Sequence, residues 1–168
     1  RLELNIGRRC NQRCIFCMQD SNDPGSLRWV PVEHALSELR SFNAAHPGIK
    51  SLGLLGGEPT LYPQLFELFE EAERLKFTHI TINTNGFGLA DMDFARRAVR
   101  LGLRRVCLSI HSERPSVEDE LSARQGAYLR KLKAIRNLLL LRREHPSLEL
   151  SINAVLTTRS LPTMDQFL

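Results

Sequence analysis

No apolar run in this 168-residue chain approaches the roughly 20 residues that a membrane-spanning helix needs. The sequence also shows no secretory leader, which would pair a basic start with an apolar stretch and a small-residue cleavage site. Charge of one sign does not dominate. Lysine and arginine total 23 against 19 acidic residues, and the net +4 mildly favours an anionic partner without identifying one. Aromatic residues make up only 7% and are not interleaved with the basic clusters, so nucleic acid is not indicated. Cysteine is scarce as well. Four in a chain of this length exclude a small scaffold built on disulfides. The 42% hydrophobic content suffices for the core of one domain, read here as residues 1–168. Arg1 rather than methionine opens the sequence, and Phe167-Leu168 closes it without a polar tail. The expectation is a piece of a longer protein.

Three of the four cysteines fall in one short run, Cys10-Asn11-Gln12-Arg13-Cys14-Ile15-Phe16-Cys17. Spacings of four and three residues let a single loop bring three thiolates to one metal centre. A closed structural zinc site or an ordinary cubane cluster takes four ligands. A soft site one ligand short therefore suggests a metal with an open position, and an open position suggests chemistry. Clustered thiols also imply a reducing compartment, most simply the cytoplasm. The fourth, Cys107, lies in the apolar stretch Arg105-Val106-Cys107-Leu108 and reads as a buried small hydrophobe.

Five short apolar runs read as strands: Leu2–Ile6, Ile49–Leu55, Thr78–Asn83, Arg104–Ile110 and Leu148–Leu156. Between them the apolar spacing turns helical. Val32, Ala35, Leu36, Leu39 and Phe42 mark a first helix over Val32–Ala45, and Pro63–Lys76 repeats the pattern. Asp91 is the expected N-cap of a third, which ends near Gly102. In Tyr128–Arg143 the expected inward face is Leu129, Leu132, Ile135, Leu138 and Leu139. Strands alternating with helices argue for an α/β fold with parallel pairing, either a curved, partial barrel or an open doubly wound sheet. The strand runs show little polar alternation, as expected of a sheet covered on its helix side. In both architectures active residues gather beyond the C-terminal ends of the strands. There the sequence places the cysteine loop, Gly56-Gly57-Glu58-Pro59-Thr60, Thr84-Asn85-Gly86, and Ser109-Ile110-His111.

With these motifs assembled, the chain resembles the radical S-adenosylmethionine superfamily. The likeness rests on Cys-x3-Cys-x2-Cys with Phe16 before the third cysteine, Gly-Gly-Glu-Pro after strand two, Thr-Asn-Gly after strand three, and Ser109 ending strand four. The resemblance implies a partial parallel (β/α)6 barrel with about five of its strands present here and the last beyond the C-terminal side. It implies a [4Fe-4S] cluster on Cys10, Cys14 and Cys17, with S-adenosylmethionine chelating the fourth iron. One electron from a flavodoxin- or ferredoxin-like donor would then cleave the cofactor to a 5'-deoxyadenosyl radical that takes hydrogen from the substrate. The substrate itself is not identified, a peptide or cofactor maturase being favoured. Gly56, Gly57 and Glu58 would meet the methionyl ammonium, with Pro59 stiffening the exit. Thr84, Asn85 and Ser109 have short polar side chains suited to a ribose or carboxylate. Phe16 would lie near the adenine, and Asn153 is a further polar candidate in the fifth strand.

Two positions depart from that pattern. Many relatives carry aspartate where His111 stands, so the aspartate's role does not transfer. The arginine that often reaches the methionyl carboxylate has its nearest counterpart in Arg124. The basic residues of the fourth helix, Lys131 among them, read as a solvated outer face. The alternative from another class is a zinc-binding structural or interaction module, with Cys10, Cys14 and Cys17 completed by a histidine such as His111.

Overall fold

The structure is a computed structural model that describes residues 1–18 and 28–163. Residues 164–168, the end of the single domain expected from the sequence, lie outside the described residues. Five strands, β1 (Leu2–Asn5), β2 (Ser51–Leu55), β3 (His79–Thr84), β4 (Leu103–Ser109) and β5 (Glu149–Asn153), form one sheet in the order β1-β2-β3-β4-β5. Every neighbouring pair is parallel. That order decides between the two architectures. A doubly wound sheet reverses its strand order partway, whereas a barrel-type sheet adds each strand beside the last.

In β1 and β4 buried residues alternate with less buried ones, β2 and β3 each bury three in a row, and the register of the four locates the site. Leu2 and Leu4, Leu52 and Leu54, Ile80 and Ile82, and Val106 and Leu108 are buried on one face. The pairing register puts Asn83, Cys107 and Ser151 in one row of the other face, with Ser109 and Asn153 in the row above. Helices cover only the apolar face. The other face lines a cavity at its C-terminal end, and the expectation of little alternation holds in β2 and β3 but not in β1 and β4.

Four of the helices match the sequence reading to within two residues at each end: α1 (Val32–Ala45), α2 (Leu65–Arg74), α3 (Met92–Arg100) and α5 (Ala127–Glu144). Asp91 caps α3 as expected, its carboxylate accepting from Phe94 N at 2.9 Å. Glu71 of α2 ties two helices together, accepting from Arg74 on its own helix and from Arg40 on α1. Those guanidiniums, Arg74 foremost, hold the Glu71 carboxyl down at about 2. Among the described residues no helix is long and apolar enough to cross a membrane.

Two elements differ from the reading. A seven-residue helix, α4 (Pro115–Leu121), follows β4 and opens with proline at its first position. It is too short to show helical periodicity. In α5 the inward residues are Ala127, Lys131, Ala134, Asn137, Leu138 and Leu141, so of the expected face Leu138 is buried and Ile135 packs against the core while the other three leucines do not turn inward. Leu129, Leu132 and Leu139 are exposed, Leu129 by 69%. Small residues at 127 and 134 let α5 pack close, and the leucine-rich side is left outward. Lys131 is accordingly not on a solvated face: it is 0% exposed.

Candidate functional site

The C-terminal ends of the strands open on a cavity of about 230 Å³. Cys10, Cys14, Cys17, Phe16, Gly56, Gly57, Glu58, Thr84, Asn85, Ser109 and Asn153 line it, so eleven of the twelve residues expected at a cofactor or metal meet at one place. Pro59 is the exception. It is buried below and starts a short 3-10 turn over Pro59–Leu61. Arg124 is not among the lining residues and stacks at 5.5 Å over the Phe87 ring.

The cysteine loop is held in position by backbone on both sides. Gly57 N donates to Gly7 O at 2.9 Å and Glu58 N to Arg9 O at 2.8 Å, extending the β1–β2 pairing past the strand ends. A Cβ on Gly57 would stand 2.2 Å from Arg9 O, and one on Gly56 would stand 2.4 Å from Gly7 O. Gly56 also takes φ +149°, which side chains rarely adopt. The glycine pair therefore lets the approach to Cys10 lie against β2. On the far side Arg13 N donates to Ser122 O and Ile15 N to Leu121 O, fastening the loop to the end of α4.

Glu58 has a structural task beside the one expected. It is fully buried, and its carboxylate accepts from Thr60 N, Thr60 Oγ1, Thr84 Oγ1 and Asn85 N at 2.5 to 3.0 Å. Burial pushes its carboxyl up while the hydrogen bonds pull it back down. Four donors engage the oxygens that were to greet an ammonium, so Glu58 is a brace between the exits of β2 and β3. Thr84 is likewise committed, donating to Glu58 and accepting from Gly86 N. Asn85 carries the brace onward. Its Nδ2 donates to Asn11 Oδ1 at 2.7 Å and approaches Cys10 Sγ at 3.7 Å.

A second buried assembly lies beyond β4. Glu118 of α4 and Lys131 of α5 form an ion pair, both side chains fully buried. Glu118 also accepts from His111 N, Ser112 N and Ser122 Oγ. No sequence signal marked this pair, because a lysine among surface arginines looks solvated. His111 lines the cavity, its ring edge-on to Phe16 with centroids 4.6 Å apart. Its Nδ1 accepts from Val155 N. Burial, chiefly, pushes His111 down to about 4, so the ring is neutral at pH 7 and its proton sits on Nε2.

The donor set fits a soft metal group. Three thiols share one wall of the cavity, and burial pushes two of them up, Cys14 to about 11. A bound metal would displace those protons. Among the described residues no three cysteine, histidine or carboxylate side chains are already drawn together closely enough to hold a metal ion, the three cysteines included. In the Cys3His alternative His111 would have to bind through Nε2, since its Nδ1 accepts from Val155 N.

Comparison with known proteins gives a consistent picture. A family model described as the Radical SAM superfamily matches residues 4–151. A probable GTP 3',8-cyclase of Metallosphaera sedula is 34% identical over 111 residues, 66% of this chain and 34% of its own length. The 7,8-dihydro-6-hydroxymethylpterin dimethyltransferase of Methanocaldococcus jannaschii is 26% identical over 114 residues, 67% of this chain and 22% of its own. In three dimensions Streptococcus suis SuiB superposes with a TM-score of 0.72 at 23% identity, covering 99% of this chain and 36% of that one. HydG, a maturase of the [FeFe]-hydrogenase, gives 0.69 at 13% identity, covering 95% and 36%. The chain thus spans about a third or less of these relatives' lengths.

Proposed function

The chain belongs to the radical SAM superfamily, and from that premise we propose that its cavity holds a [4Fe-4S] cluster on Cys10, Cys14 and Cys17 together with S-adenosylmethionine. When bound, the pair supplies one-electron cleavage of a carbon–sulfur bond and, through the radical released, hydrogen abstraction from a substrate. The observation that carries the reading is the meeting of three thiols with Gly56, Gly57, Asn85, Ser109 and Asn153 around one cavity.

The chain's own residues have separable tasks in this reading. The three thiolates hold iron, and the glycine pair and Glu58 fix the loop that carries them. Ser109 and Asn153, adjacent in register at the ends of β4 and β5, offer short polar side chains to the cofactor's ribose or carboxylate. Phe16 and the neutral His111 form the wall beside them, His111 presenting an N–H and no charge. The electron comes from a flavodoxin- or ferredoxin-like donor in the cytoplasm. The substrate is of the peptide or cofactor-maturation class, which the cyclase and pterin methyltransferase names among the relatives support.

Anaerobic reconstitution with iron and sulfide tests this reading. The expected result is a brown protein with about four irons per chain, and loss of iron in Cys14→Ala with the circular dichroism spectrum unchanged. A colourless protein that takes up zinc in their place would overturn it.

A further inference from the structure

Gln12 lies between two of the cysteines and is 7% exposed, yet its Nε2 has no hydrogen-bond partner among the described residues. An orphaned buried N–H is rare in a folded protein and calls for a group that takes it up. Gln12 also lines the cavity. Its surroundings are sulfur. The backbone N–H of Gln12 donates to Cys10 Sγ at 3.4 Å, and its Oε1 accepts from the Cys14 thiol at 3.5 Å.

That last contact suits a thiol and not a ligand. Once Cys14 binds iron its sulfur has no proton, and Oε1 against Sγ becomes two acceptors facing each other. A half-turn of the carboxamide about its last bond exchanges Oε1 and Nε2, so that an N–H meets the thiolate. The oxygen then takes the orphaned position, where an unpaired acceptor is better tolerated than an unpaired donor. A leucine would fill the same space without this capacity, so packing alone does not account for a carboxamide there.

We propose that Gln12 is a positioning and tuning residue for the cluster, its carboxamide donating to the Cys14 thiolate. Hydrogen bonds to ligand sulfur favour the more negative, reduced state and raise the reduction potential. Gln12 thereby joins its own backbone N–H and Asn85 as a third amide donor to the thiolates. The inference rests on the cluster reading.

An EPR-monitored redox titration of the reconstituted protein tests it. Gln12→Leu should keep its iron and lose about tenfold in the reduction equilibrium, a fall of about 59 mV for a one-electron couple. Gln12→Glu, which keeps length and shape but puts an acceptor in place of the amide nitrogen, should fall at least as far. Full iron with an unchanged potential in both would overturn the proposal. If the variants hold no iron, pulsed EPR of protein carrying 15N at glutamine side chains decides. In a Gln19→Ala background, which removes the other glutamine near the cysteines in sequence, a 15N coupling to the reduced cluster supports the contact, and its absence overturns it. Failure of the wild type to bind iron is a separate result and counts against the cluster itself.

Discussion

Lys131→Met should cost about 3 to 5 kcal/mol of stability, because it leaves the fully buried Glu118 carboxylate without its cation. For a chain of this size that is a fall in melting temperature of roughly 10 °C. The damage should spread along a defined route. Glu118 gathers the backbone of His111 and Ser112 at the exit of β4 and the hydroxyl of Ser122 at the end of α4. The carbonyls of Leu121 and Ser122 in turn hold Ile15 and Arg13 of the cysteine loop. Iron retention should therefore drop along with stability. The double variant Glu118→Gln/Lys131→Met removes both charges and should recover most of the loss, since a buried pair is often worth little more than its neutral replacement. Thermal melts of the wild type, Lys131→Met, Glu118→Gln and the double variant close the cycle. A double variant as unstable as Lys131→Met would show that the charge imbalance is not the cause.

Gly57→Ala should lose most of its iron while keeping its secondary structure. The added Cβ would meet Arg9 O at 2.2 Å and Arg8 O at 2.5 Å, and backbone at that distance cannot swing aside. The strand end must part from the Gly7-Arg8-Arg9 segment, breaking the hydrogen bonds to Gly7 O and Arg9 O that set where Cys10 begins. Overpacking of this kind costs about 1 to 3 kcal/mol, and the larger effect falls on the loop. Gly48→Ala is the internal control, since a Cβ there meets nothing within 4 Å. Equal iron content in Gly57→Ala and Gly48→Ala would mean that the close approach at Gly57 does not position the cysteines.

The order of the elements along the chain and the rim of functional residues were legible in the sequence because both follow from local patterns, whereas the order of the strands in the sheet was settled only by the structure. Short β-branched runs alternate with 3.6-period segments, and each motif sits at or shortly past the C-terminal end of a strand. The Asp91 cap was readable for the same reason. What was not legible depended on contacts distant in sequence. Glu58 accepts from Thr84 across 26 positions, so a carboxylate that looked wholly free for a ligand also serves as a brace. Lys131 looks like one more surface cation until α4 places Glu118 against it, and α4 is too short to announce itself. The α5 face was read correctly at Leu138 and Ile135 and misjudged at 129, 132 and 139, because leucines outscore alanines in any apolar count. Packing distance, not hydrophobicity, selected the face with Ala127 and Ala134. Gln12 had no sequence signal beyond its place between two cysteines.

EPR of the reconstituted, dithionite-reduced protein, recorded with and without S-adenosylmethionine, tests the central claim most directly. An open iron beside three thiolates predicts a reduced-cubane signal that changes shape when S-adenosylmethionine is added, and no such signal in Cys14→Ala. A cubane signal indifferent to S-adenosylmethionine would mean a closed cluster with no cofactor site, and the account of this cavity would be wrong.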